Sequence, residues 1–132
     1  MGTTMKPVGY VQTDAPSIPH FWDVSDVEGV LAIDEPYADG LKGLEKGKKI
    51  FVIFQFHRSP PFRADQVRQT PRGGGGQKGV FAISSPFRPN PVGLSVLEIL
   101  AIDGPRIRVK GLDMIDGTPI LDIKPCHLPG SE

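Results

Sequence analysis

The stretch GVFAISSPFRPNPVGLSVLEIL, Gly79 to Leu100, decides how the rest of the chain is read. It enters on a strand-like run, Gly79–Ile83, and leaves on another, Leu94–Leu100. Between them Pro86, Pro89 and Pro91 interleave with Arg88 and Asn90. Each proline holds φ at about −65° and restricts the residue before it. A loop this stiff loses little entropy on ordering, so it can keep polar groups ready for a ligand. Arg88 offers a rigid fork of donors, Asn90 a donor and an acceptor, and Ser84 and Ser85 hydroxyls. Gly93 lacks a Cβ, so a ligand or a second backbone can approach there. Packing alone would also account for a stiff loop between two strands, and the residues leave both readings open.

Working toward the N-terminus, the run KIFVIFQFH, Lys49–His57, has the β-branched and aromatic content of a fully buried central strand, with His57 and Arg58 where it emerges. Gly29–Ile33 and Pro7–Thr13 read as two further strands. Asp14–Ser25 has no period; its adjacent aromatics, Phe21 and Trp22, suit either a ligand wall or a plug at a barrel end. Tyr37–Leu44 supports at most two turns of helix, weakened by Gly40 and Gly43. Working toward the C-terminus, Leu94–Ile102 and Arg106–Lys110 flank the turn Asp103-Gly104-Pro105 as a β-hairpin. Pro119–Ile123 is a last strand, and Cys126–Glu132 reads as irregular. Six or seven short strands and almost no helix predict an all-β fold, a small single-domain barrel or sandwich.

Length and composition exclude several function classes. A chain of 132 residues suits one domain, and dimerisation would help so small a core. No apolar run is long enough to span a bilayer, and MGTTMKPVGY resembles neither a signal peptide nor, with Lys6, a myristoylation motif. A single cysteine, Cys126, leaves no intramolecular disulfide and no cysteine-based zinc site, and no metal is expected. The expectation is a soluble cytoplasmic protein. Neither βαβ alternation nor GxGxxG is present, which excludes a doubly wound dinucleotide fold. The excursion Ser59–Lys78 contains Gly73–Gly76 but lacks the spacing of a phosphate-binding loop, so it reads as a mobile flap.

Net charge is zero, yet its distribution is uneven. Residues 1–56 carry a balance of −3 and residues 91–132 one of −2. Residues 57–90 hold Arg58, Arg63, Arg68, Arg72, Lys78 and Arg88 against Asp65 alone, a balance of +5. Five of these six cations are arginine, whose fork matches phosphate or carboxylate. Arg63, Arg68, Arg72 and Arg88, with Asn90, are the candidate substrate contacts, facing RNA; a solvated basic loop without a partner is the other reading. Asp113 and Asp116 can accept from sugar hydroxyls or an amino group, or serve only their own turn. His57 can orient a nucleophile or take its proton, or simply close a strand end.

SPFRPNPVGLS (Ser85–Ser95) resembles the signature of the TsaA-like, or TrmO, family. PVGYVQT (Pro7–Thr13), IFQFH (Ile53–His57) and GLDMIDGTPILDIKP (Gly111–Pro125) agree with it in order and spacing, so the resemblance covers Lys6 to about Pro125. It implies an S-adenosylmethionine-dependent methyltransferase on a small β-barrel, usually homodimeric, that methylates N6 of threonylcarbamoyl-adenosine 37 in tRNA. It also implies cofactor contacts at Pro19, His20, Phe21, His57, Arg58, Ser84, Leu94, Asp113, Met114, Ile115 and Asp116. It names no catalytic base.

Two positions depart from the family pattern. Pro19-His20-Phe21 stands where Pro-Arg-Gln is common, and Ser84 where arginine is common. Each departure removes a fixed cation, leaving Arg58 or Arg88 to hold a carboxylate or RNA. Larger family members also carry a C-terminal extension not present in this sequence. Three functions are therefore carried forward: tRNA methylation, methylation of a small molecule or other nucleophile, and a non-catalytic RNA- or metabolite-binding barrel. The intact Ser85–Ser95 and Asp116–Pro125 stretches favour catalysis over the last.

Overall fold

In the computed structural model, which describes residues 2–129, six antiparallel strands close into a barrel in the order β1-β2-β7-β6-β3-β8. They are β1 (Gly9–Gln12), β2 (Glu28–Ile33), β3 (Lys49–Gln55), β6 (Val92–Asp103), β7 (Arg106–Lys110) and β8 (Pro119–Pro125). β4 (Arg68–Gln69) and β5 (Lys78–Gly79) form a separate two-stranded ribbon outside the barrel. Helix among the described residues is confined to four 3₁₀ turns, Trp22–Val24, Glu35–Leu41, Ala64–Val67 and Val80–Ala82. Among the described residues no helix is long and apolar enough to cross a membrane.

Alternation along the strands sets the core. Ile50, Val52 and Phe54 of β3, Leu97 and Ile99 of β6, and Ile107 and Val109 of β7 point inward, with Val11, Leu31, Ile33 and Ile120 from the other strands. Leu41, Leu112 and Met114 complete the cluster. β6 is long enough to pair with β3 over its first half and β7 over its second, and it carries a bulge between Ile99 and Ala101. The β6–β7 hairpin turns in two residues, with φ at Gly104 of 57°, a conformation that suits glycine.

Three expectations are corrected. β3 is not buried on both faces: Phe51 and Ile53 lie on its outer face, half-covered, because a closed barrel has an outside. Gly79–Ile83 is not a strand: β5 ends at Gly79, and Ile83 N–H turns back to the Val80 carbonyl at 3.4 Å. Of that run only Val80 is buried, while Phe81 is 84% exposed. The Tyr37–Leu44 helix is a 3₁₀ turn over Glu35–Leu41, its first turn set by Pro36. The irregular tail is seen to Pro129; its last three residues lie outside the described ones.

Candidate functional site

A cleft of about 1000 Å³ opens where the C-terminal end of β3, the start of β6 and the turn after β7 meet three loops. Into it converge His20, Phe21 and Trp22, then Phe54 to Pro60, then Gln69 to Arg72, then Ile83 to Arg88, and finally Asp113 to Ile115. These segments are far apart in sequence, and the barrel register brings them together. Among the expected residues, His20, Phe21, His57, Arg58, Ser84, Leu94, Asp113, Met114 and Ile115 line the cleft, as do Arg72 and Arg88. Pro19, Asp116, Arg63, Arg68 and Asn90 do not.

The floor is aromatic and aliphatic. Phe54 and Phe56 meet edge to face at 5.0 Å, and Met114 is buried beside the cleft. Gly93 matters here for a different reason from the one expected: a Cβ on it would fall 2.4 Å from the Phe54 ring, so its bareness admits that side chain rather than a second backbone. One wall is Phe21 stacked on Trp22, centroids 5.3 Å apart and planes 29° apart. Leu94 and Ile115 reach the cleft with much of their apolar surface exposed.

The loops around the cleft are held by side chains bonded to backbone. Arg88 Nη1 donates to the carbonyls of Ile83 (2.7 Å) and Ser85 (3.2 Å), bracing its own proline-rich loop. Phe87 N–H donates to Ser85 Oγ at 3.1 Å. Gln69 Nε2 donates to the carbonyls of Gln66 and Phe87, at 2.7 and 2.8 Å, tying the excursion to the signature loop. The Gln69–Arg72 part of the excursion is thus tied to the cleft wall, and its own glycines, Gly74 to Gly76, take positive φ. Phe56 N–H donates to the Pro91 carbonyl at 2.7 Å, which fixes where His57 and Arg58 emerge.

Both carboxylates of the GLDMID stretch are engaged within the fold. Asp113 Oδ1 accepts from Ser95 Oγ at 2.5 Å, and Oδ2 accepts from Trp22 N–H at 3.0 Å. Burial raises the Asp113 pKa above its ordinary value of 3.8, with the hydrogen bonds from Ser95 and from backbone N–H groups opposing it. Asp116 Oδ1 accepts from Thr13 N–H at 2.9 Å, tying the β7–β8 connection to the end of β1. Among the basic residues, Arg63 Nε pairs with Asp65 at 3.0 Å on the surface, while Arg58 and Arg72 project at the cleft. Among the described residues no group of acidic, histidine or cysteine side chains is arranged to hold a metal.

The sequence reading missed Ser95, Gln69, Thr70 and Gln55. Ser95 was visible only as a polar residue at an inward position of an otherwise apolar alternation. Gln69 and Thr70 carry no pattern, because loop-to-loop contacts leave none.

The fold and cleft define a closed β-barrel whose ladder is scaffold and whose loops carry the binding surface. Residues 10–129 match the family described as the tRNA-methyltransferase O N-terminal domain, and the chain belongs to that family. An S-adenosyl-L-methionine-binding protein of Archaeoglobus fulgidus is 40% identical over 126 residues, 91% of this chain and 86% of that protein. The tRNA (adenine(37)-N6)-methyltransferase of Escherichia coli is 38% identical over 116 residues, 83% of this chain. This chain spans about half of that enzyme's length, 49%. A crystal structure of TrmO from Pseudomonas aeruginosa superposes with a TM-score of 0.73 at 27% identity, covering all of this chain and 61% of that one.

Proposed function

We propose that this chain is an S-adenosylmethionine-dependent tRNA methyltransferase whose cleft joins cofactor and target nucleoside, the target being N6 of threonylcarbamoyl-adenosine 37. The observation that carries the reading is the convergence on one cleft of nine of the eleven residues that the family resemblance marks as cofactor contacts. The relatives named as S-adenosyl-L-methionine-binding and as tRNA (adenine(37)-N6)-methyltransferases support it.

The donor set fits the cofactor. Arg58 and Arg72 are cations for a carboxylate, Ser84 and Gln55 are polar partners for a ribose, and Phe21 with Trp22 is a wall for a flat ring. When bound, the cofactor supplies a methyl group on a sulfonium, transferred by in-line displacement. The chain's own residues then align and desolvate. The Arg88 brace and the Gln69 latch fix the loops, and Phe54, Phe56, Leu94 and Ile115 line the cleft with apolar surface that would keep water from a bound methyl donor. His57 lines the same cleft, as do His20 and Asp113, and is one of the side chains there able to orient the nucleophile or take its proton.

Homodimerisation and a cytoplasmic location belong to the same proposal. Phe81 and Val24, outside the cleft, are exposed apolar side chains that a second copy would cover. A second reading, methylation of a small molecule or other nucleophile, is favoured by one observation. Ser84 and the His20-Phe21 pair line the cleft where the family commonly places arginine and Arg-Gln, so fewer cations await RNA. Isothermal titration calorimetry with S-adenosylmethionine should give one site per chain. Nucleoside analysis of tRNA from a strain lacking the protein should show the loss of methylated threonylcarbamoyl-adenosine. Cofactor binding with an unchanged tRNA profile would move the assignment to the second reading, and no cofactor heat would defeat both.

A further inference from the structure

Segment Asp14–Val27 crosses the cleft rim with little regular structure, yet its aromatic pair is held in one place. The fastening comes from the turn after β7. Ser25 Oγ donates to the Leu112 carbonyl at 2.5 Å, and Gly111 and Leu112 N–H both donate to the Val27 carbonyl. One residue on, Asp113 Oδ2 takes Trp22 N–H, and its other oxygen is fixed by Ser95 Oγ. Ser95 is 0% exposed, at an inward position of β6, where a hydroxyl must find a partner. A half-buried carboxylate with both oxygens engaged is oriented more firmly than a surface one. Phe21 is nonetheless 44% exposed, with its ring stacked on Trp22 at the cleft. An uncovered aromatic face stacked on a ring whose backbone is anchored suits one ligand chemistry above others, the flat π-face of a base.

We propose that Ser95 and Asp113 are positioning residues that hold the Phe21–Trp22 stack as the wall against which a purine ring lies in the cleft. Asp113 acts on the wall through the Trp22 backbone N–H, and the remaining lone pairs of its two oxygens still face the cleft it lines. The purine has two sources, the adenosyl group of the cofactor and the target adenosine of the RNA. The inference rests on the proposed methyltransferase reading for its ligand, though not for the Ser95–Asp113–Trp22 chain itself.

Trp22 is the only tryptophan in the sequence, so its emission reports the wall directly. In ligand-free protein, Ser95→Ala and Asp113→Leu should red-shift that emission and raise its acrylamide quenching about twofold. Asp113→Asn, whose amide oxygen still accepts from Trp22 N–H and whose NH₂ can donate to Ser95, should stay near wild type. Should Asp113→Leu not fold, Ser95→Ala and Asp113→Asn still decide the matter. Unchanged emission and quenching in Ser95→Ala would overturn the positioning role.

S-adenosylhomocysteine and an adenosine-37 anticodon stem-loop are then titrated separately into wild type and Phe21→Ala. Stacking predicts that one of them binds about tenfold more weakly to the variant. A loss confined to S-adenosylhomocysteine assigns the wall to the cofactor purine, and a loss confined to the stem-loop assigns it to the target base. Equal affinities of wild type and variant for both ligands would overturn the purine wall. If wild type binds neither ligand, the methyltransferase reading and the purine wall fall together, while the ligand-free fluorescence still decides the positioning role alone.

Discussion

The barrel wall and the cleft rim are fastened in different ways. In the wall, each of the six strands pairs with a neighbour on both sides through backbone ladders, and the interior is aliphatic apart from Phe54 and Met114. At the rim, the loops carrying Trp22, Gln69 and Arg88 are tied by a few side-chain bonds to backbone. The wall distributes its stability over many residues, so no one hydrogen bond is decisive. The rim concentrates its order in a few polar side chains, each of which sets a piece of binding surface. Substitutions should accordingly separate stability from binding according to which region they touch.

The largest stability effect is expected in the wall. Leu97→Ala, at a site with no solvent exposure, should cost about 2–5 kcal/mol, read by urea denaturation. A loss well below that range would mean that the interior of the barrel is loosely packed. Arg88→Ala at the rim should cost about 1 kcal/mol, the scale of a few partly exposed hydrogen bonds. It should still weaken S-adenosylmethionine binding measurably by calorimetry. Unchanged cofactor affinity in this variant would erase the distinction between the two regions.

A third test uses pH. Because burial raises the Asp113 pKa, the folded chain keeps a proton that the unfolded chain has released between pH 3.8 and the folded value. The native state binds more protons across that window, so this group's contribution to stability falls as pH rises through it and stays reduced above it. Asp113→Asn should remove that slope, visible as a pH-dependent difference in urea midpoints between variant and wild type. Parallel midpoint curves would contradict the raised pKa.

The smallest effect belongs to the outer basic residues. Arg63→Ala and Arg68→Ala, both exposed and outside the cleft, should each change stability by less than about 0.5 kcal/mol. If they contact RNA phosphates, each should reduce the log–log salt slope of tRNA binding by about 0.7. The Arg63–Asp65 pair predicts the weaker change at Arg63. Unchanged tRNA binding in the double variant would confine RNA contact to Arg58, Arg72 and Arg88.

How much was legible in the sequence follows the same division. The barrel strands announced themselves through alternation and turn residues, because a ladder repeats its demand every two positions. Lys49–Gln55 misled only in its second face, since an apolar run looks alike whether neighbours or partial solvent cover its outside. Gly79–Ile83 misled entirely: β-propensity was present, but no neighbouring strand was available beyond the two-residue ribbon. Arg88 and the aromatic pair were legible as candidate site residues because their chemistry is unusual in a loop. The bonds that place them were not. The Ser95–Asp113 contact depends on where β6 and the post-β7 turn meet, and the Gln69–Phe87 latch on how two loops fold together.

The closing seam of the barrel has a kinetic consequence. β1 pairs with β8, Gly9 opposite Ile120, so the ladder joins the two ends of the chain. Such a pairing must wait for every intervening residue, and its loop-closure entropy is offset only once the other strands are in place. The seam should therefore zip last, on the millisecond-to-second scale of non-local β topologies, rather than within microseconds. Stopped-flow refolding with a fluorophore pair across Tyr10 and Pro119 would time it. Until that seam closes, β1 and β8 each offer an unpaired edge, and the nascent chain depends on its own speed to avoid pairing with another.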